Sequence, residues 1–146
     1  MIVWVNGAFG SGKSTLAEEL RARMPDAVVF DPEYVGYIIT QWVPAPTGDF
    51  QDLPIWRHLV IETALALRKF HAEVLIVPMT LVDERYYGEV VGGLCGTGEQ
   101  VAHAFRLKNI DRCVAAAARQ PADTLMLRSD LQTPAQLADA VMAHLT

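Results

Sequence analysis

The stretch Gly7-Ala8-Phe9-Gly10-Ser11-Gly12-Lys13-Ser14 restricts this chain to few folds. It follows the apolar, β-branched and aromatic run M-I-V-W-V, which reads as a buried strand over Met1 to Val5. It leads into S-T-L-A-E-E-L-R-A-R-M, a helix from Ser14 to Met24 that Pro25 stops. Glycines at these places let backbone N–H groups turn inward around an anion with no Cβ in the way. A helix starting at the loop adds the positive end of its dipole. G-x-x-x-x-G-K-[ST] between strand and helix is therefore a phosphate cradle: the lysine reaches β- and γ-phosphates, and the serine hydroxyl can hold Mg²⁺. Gly7, Ala8, Phe9, Gly10, Ser11, Gly12, Lys13, Ser14 and Thr15 are expected to bind ATP, with Mg²⁺ on Ser14. A dinucleotide turn is the rival, because Gly10-Ser11-Gly12 begins G-x-G-x-x-G. Residue 15 is Thr, however, and Lys13-Ser14 do not suit a pyrophosphate turn.

Apolar runs and amphipathic stretches alternate along the rest of the chain. Ala27 to Phe30 reads as a second strand, and Asp31-Pro32-Glu33 opens a helix to about Trp42. Val43 to Pro54 is a proline-rich loop of the length used for lids and substrate loops. A long helix follows from Ile55 to about His71, with Trp56, Leu59, Val60, Thr63, Leu67 and Phe70 as its core stripe. Glu73 to Val77 is the third strand, with Pro78 expected to stop it. A helix spans about Asp83 to Leu94, a strand Gln100 to Leu107, a short helix Ile110 to Arg119 and a strand Thr124 to Arg128. The last helix opens with Thr133 as N-cap, Pro134 at its first position and Gln136 closing a capping box. This alternation predicts an α/β domain over 1–146, its strands parallel and its helices on both faces.

Composition narrows the partners. A net charge of −5 argues against nucleic acid, whose backbone selects a basic face. Two cysteines, Cys95 and Cys113, are too few and too far apart for a disulfide framework or zinc site, and are expected to be reduced and mostly buried. No apolar run approaches membrane-spanning length and no leader pattern opens the chain, which predicts a cytoplasmic protein. Leu137, Val141 and Leu145 form a stripe with few cations, better suited to packing on the sheet than to membrane association.

Among phosphate-loop proteins, a switch GTPase needs N-K-x-D and D-x-x-G, and neither occurs. A motor or transport ATPase places a carboxylate at the end of a second buried strand. Here V-L-I-V runs into Pro78-Met79-Thr80 instead. A small kinase remains. Asp31, ending strand two on the ligand-binding side of such sheets, is the leading catalytic candidate and a second candidate for holding Mg²⁺. Asp31-Pro32-Glu33 is equally an N-cap sequence, and both roles can hold at once. Arg57, in the first turn of the long helix, suits an acceptor's polar or phosphate group, or is a solvated surface arginine. His58 reads as structural or surface. Gln51, Trp56 and Thr80 are further candidates for the acceptor pocket, although a Trp in that stripe suits the core.

Beyond the phosphate loop, M-I-V-W-V-N-G-A-F-G-S-G-K, Phe30-Asp31-Pro32-Glu33, Asp49-Phe50-Gln51, Pro54-Ile55-Trp56-Arg57, Leu75-Ile76-Val77-Pro78-Met79-Thr80 and Ile110-Asp111-Arg112-Cys113 resemble motifs of the bacterial tunicamycin-resistance protein family. The resemblance spans most of the chain. It implies a nucleotide-kinase-like three-layer fold with a five-stranded sheet of order 2-3-1-4-5. It also implies ATP-dependent phosphotransfer linked to resistance to tunicamycin, a nucleoside antibiotic. Two other activities stay open: ATP-dependent sequestration of the drug without transfer, and a metabolic nucleotide kinase. Such kinases carry an arginine-bearing lid after strand four. Here Phe105-Arg106-Leu107 runs directly into Lys108-Asn109-Ile110-Asp111. Either the lid is absent or its segment is not carried in these 146 residues, and the second is expected.

Overall fold

The computed structural model describes residues 1–107 and 115–146. Strands β1 (Ile2–Gly7), β2 (Val28–Val29), β3 (Leu75–Met79), β4 (Val101–Leu107) and β5 (Leu125–Arg128) form one all-parallel sheet in the order β2-β3-β1-β4-β5. The helices that lie wholly within the described residues are α1 (Lys13–Arg23), α2 (Glu33–Ile39), α3 (Pro54–Phe70), α4 (Glu84–Cys95) and α5 (Pro134–Leu145), with a 3₁₀ turn at Phe50–Asp52. Strand alternation divides the core between two faces. Ile2 and Trp4 of β1, with Leu75, Val77 and Met79 of β3, pack against α3 and α4. Val3, Val5 and Ile76 meet α1 and α5 through Leu16, Leu20, Leu137 and Val141. The Leu137–Val141 stripe is thus packing surface, and the Thr133–Gln136 capping box forms as the sequence implies.

Four details depart from expectation. Pro78 does not stop β3: it pairs in register with Val5, one residue before the strand ends. Along β3 the even-numbered residues face β2, as the bonds from Val28 N to Val74 O and from Phe30 N to Ile76 O show. After the bond from Phe30 N to Ile76 O, the next rung would need the N–H that proline lacks, so Pro78 ends the pairing with β2 and leaves the side facing β1 intact. The second helix ends at Ile39, short of Trp42, where the Thr40 hydroxyl donates to Gly36 O and Tyr37 O and the chain passes into turns. Phe70 is 68% exposed, because the buried face of α3 runs through Trp56, Arg57, Val60 and Ala64 and only Leu67 continues it in the last turn. Cys95 is exposed at the end of α4, not buried. Residues 115–117 are helical. The start of the expected Ile110 to Arg119 helix, Cys113 and the lid junction lie outside the described residues.

Candidate functional site

β1 delivers the phosphate loop to the C-terminal edge of the sheet. Gly7, Gly10 and Gly12 take φ of 149°, 72° and 82°, a backbone that side chains rarely tolerate. These angles fold the loop back, with Ser11 N donating to Ala8 O at 3.1 Å. The Lys13 ammonium lies across the loop, 3.0 Å from Ala8 O. Ser14 and Thr15 are exposed in the first turn of α1, and Phe9 stands 85% exposed at the crown. A curled run of N–H groups, a lysine and a hydroxyl at a helix start fit a triphosphate and its cation chemically.

Asp31 stands beside this loop. It lines a cavity of about 420 Å³ together with Ser14, Glu18, Tyr34 and Pro78. Its Oδ1 accepts from Glu33 N at 2.9 Å, so the capping bond expected of D-P-E does form. Burial raises its pKa above the usual carboxylate value; the bond from Glu33 N opposes this, the Glu33 charge adds to it, and Lys13 draws it back. A half-buried carboxylate of raised basicity, sharing a cavity with Ser14, can accept a proton from an alcohol.

A second cluster gathers on the other side of β3. Thr80, Gln51, Asp49, Asp52, Tyr86 and Arg119 are among the residues lining a cleft of about 1000 Å³. Its floor adjoins the phosphate loop, because Ala8 packs with Val82, Phe105 and Ala116. Gln51 Nε2 donates to Thr80 O at 2.8 Å, while the Thr80 hydroxyl oxygen is buried with no hydrogen-bond partner among the described residues. Arg57 is not a surface arginine. It is 7% exposed, bonded to Glu89 Oε2 at 2.7 Å and to Gln51 O at 2.6 Å, and lies 4.2 Å from the centre of the Tyr86 ring. Tyr86 in turn donates to Asp52 at 2.9 Å. Hydrogen bonds from Thr47 and Tyr86 hold Asp52 below the ordinary carboxylate range. Trp56 leaves the pocket candidates: it is fully buried, its indole N–H donating to Pro32 O at 3.1 Å. It braces the Asp31 segment from the core. His58 is exposed.

Sequence reasoning missed Asn6, which is 1% exposed. Its Oδ1 accepts from Gly7 N and Leu81 N at 2.8 and 2.9 Å, and its Nδ2 donates to Leu81 O at 2.7 Å. The available signal was a lone amide closing an apolar strand. Glu89 and Tyr86 carried no local signal at all.

No family model matches the chain, and no curated protein matches it by sequence. Solved structures do match. The tunicamycin resistance protein of Deinococcus radiodurans superposes with a TM-score of 0.81 at 25% identity, covering 99% of this chain and 94% of that one. An APS kinase from Mycobacterium tuberculosis gives 0.77 at 17% identity, covering 99% and 95%. The shikimate kinase of Aquifex aeolicus gives 0.62 at 14%, covering 99% and 96%. The latter two speak for the fold alone. The chain thus has the P-loop kinase fold and, over nearly its whole length, resembles a tunicamycin resistance protein.

Proposed function

We propose that this protein is a Mg²⁺-ATP-dependent phosphotransferase whose acceptor is a hydroxyl of a small molecule, tunicamycin or a compound built like it. The observation that carries the reading is Ser14 and Asp31 lining one cavity beside Lys13. Bound Mg²⁺-ATP would supply the transferable phosphoryl group. The glycine-rich backbone and Lys13 hold phosphate oxygens, and Ser14 holds the cation. Asp31 takes the proton that the acceptor hydroxyl loses as its oxygen bonds to phosphorus. The likeness to a tunicamycin resistance protein supports that drug as acceptor.

The engagement of Arg57 weighs against a nucleotide kinase of metabolism. The guanidinium that would have suited an acceptor phosphate is already committed to Glu89, Gln51 and Tyr86. The test is incubation of the protein with ATP, Mg²⁺ and tunicamycin, followed by mass analysis of the drug. A species heavier by one phosphoryl group is expected. Stoichiometric drug binding without that product would replace the reading by sequestration, and transfer to a nucleoside monophosphate instead would restore the nucleotide kinase.

A further inference from the structure

We propose that Asn6 is a positioning residue that sets the phosphate loop against the Thr80–Leu81 segment, which borders the cleft of about 1000 Å³. The β1–β3 ladder ends where Asn6 lies beside Met79. Two residues further on, the Asn6 carboxamide substitutes for a strand: it pairs with both the N–H and the C=O of Leu81, as a peptide unit would. The same Oδ1 fixes the first N–H of the phosphate loop, that of Gly7. Leu81 follows Thr80, whose carbonyl accepts from Gln51, and the Gln51 carbonyl accepts from Arg57. One chain of hydrogen bonds therefore runs from Gly7 through Asn6, the Thr80–Leu81 segment and Gln51 to the first turn of α3.

Only asparagine fits the position. The clamp needs an acceptor and a donor on one short, planar group, buried where an unmatched polar atom is costly. An ionised aspartate would face Leu81 O with a second oxygen; alanine would leave three backbone groups unpaired, and glutamine is too long. The clamp does not touch the reacting atoms. It acts by holding the phosphate loop and the Thr80–Leu81 segment at one separation, and displacements of about 1 Å lower rates by about 100-fold.

The rate readout rests on the phosphotransfer reading, so the experiment has two arms. In the first, Asn6→Asp should lower kcat by about 100-fold near neutral pH, while ATP affinity, measured by calorimetry, falls far less. The ratio of its rate to that of the unaltered protein should rise as pH falls, because a protonated aspartic acid regains an O–H donor for Leu81 O. Asn6→Ala should lose rate without that recovery. Val141→Ala, in the distant α1–α5 packing layer, provides a destabilised control that keeps its kcat. An unchanged kcat in Asn6→Asp, a ratio that ignores pH, or an equal loss in Val141→Ala would overturn the proposal.

The second arm needs no transfer. A non-hydrolysable ATP analogue should slow amide exchange over Gln51 to Leu53 in the unaltered protein and not in Asn6→Asp. If the drug is not phosphorylated but this contrast holds, the phosphotransfer reading fails and the clamp stands. If the analogue affects both proteins alike, or neither, the clamp is wrong.

Discussion

Asp31 is a carboxylate with one oxygen committed to its own backbone and its charge half removed from water. Asp31→Asn keeps an oxygen for Glu33 N and removes the desolvated charge, so thermal stability should hold or rise slightly. Phosphotransfer should fall by about 10²–10⁴-fold, the usual worth of a positioned base. Retained activity in that variant would leave Asp31 as a cap only. Because burial raises its pKa, the acid limb of the rate profile should lie above the ordinary aspartate range: activity is lost as pH falls through that pKa, when the base becomes protonated. Lys13→Ala should abolish ATP binding, read by calorimetry, with an unchanged circular dichroism spectrum; undiminished affinity would refute the phosphate-loop assignment. What the sequence showed of these residues' backbone is local. The loop's glycine turns lie within eight consecutive positions, and D-P-E states its cap in three. Arg57 was not legible: what decides its role is Glu89, 32 residues away on α4, together with the Tyr86 ring. Asn6 likewise finds its partner 75 residues downstream.

At the level of elements, the loop that carries Phe50 is held by ring packing against α2. Phe50 lies 6.1 Å from Tyr37 and 5.3 Å from Trp56, centroid to centroid, and Gly36 of α2 sits directly beneath it. A Cβ on Gly36 would stand 2.5 Å from Phe50 Cγ, so even one methyl group must displace the ring at its root. Gly36→Ala should therefore destabilise the protein by about 1–3 kcal/mol, as overpacking does, read from the midpoint of urea unfolding. Combined with Phe50→Ala the loss should be less than the sum, since the clash disappears with the ring. Additive losses would mean that the two do not meet in solution. Strand and helix positions were readable from apolar periodicity, and the Thr133 cap from its spacing. The misread ends share a cause. Whether Pro78 breaks a strand depends on which neighbour its missing N–H would face, here β2 and not β1, and whether Phe70 is covered depends on what lies over the last turn of α3. Neither is written in the residue's neighbours.

Across the whole molecule, the parallel sheet followed from alternating elements, but the two faces of its core are set by which helix crosses where. That placement buries one titratable pair the sequence did not reveal. His103 of β4 is 7% exposed, with Nδ1 2.8 Å from the Tyr87 hydroxyl of α4. Trp4 closes edge-on against Tyr87 from β1. Burial pushes the Tyr87 pKa up, so the phenol stays protonated and can donate to a bare Nδ1 of neutral His103. Burial also pushes the His103 pKa down; Asp123 opposes this and His144 reinforces it. The linkage sign follows. The unfolded chain takes up a proton near pH 6.5, whereas the folded one resists until lower pH, so the unfolded state binds more protons in between and stability rises with pH there. This contribution is complete above about pH 6.5 and is lost as pH falls toward the folded pKa. Urea midpoints should accordingly drop between pH 7 and pH 5, above the range where carboxylates titrate. His103→Gln, which cannot charge, should flatten the drop over that interval whatever its effect on absolute stability. An unchanged slope in that variant would place the pH sensitivity elsewhere and leave the Tyr87–His103 pair a purely neutral part of the core.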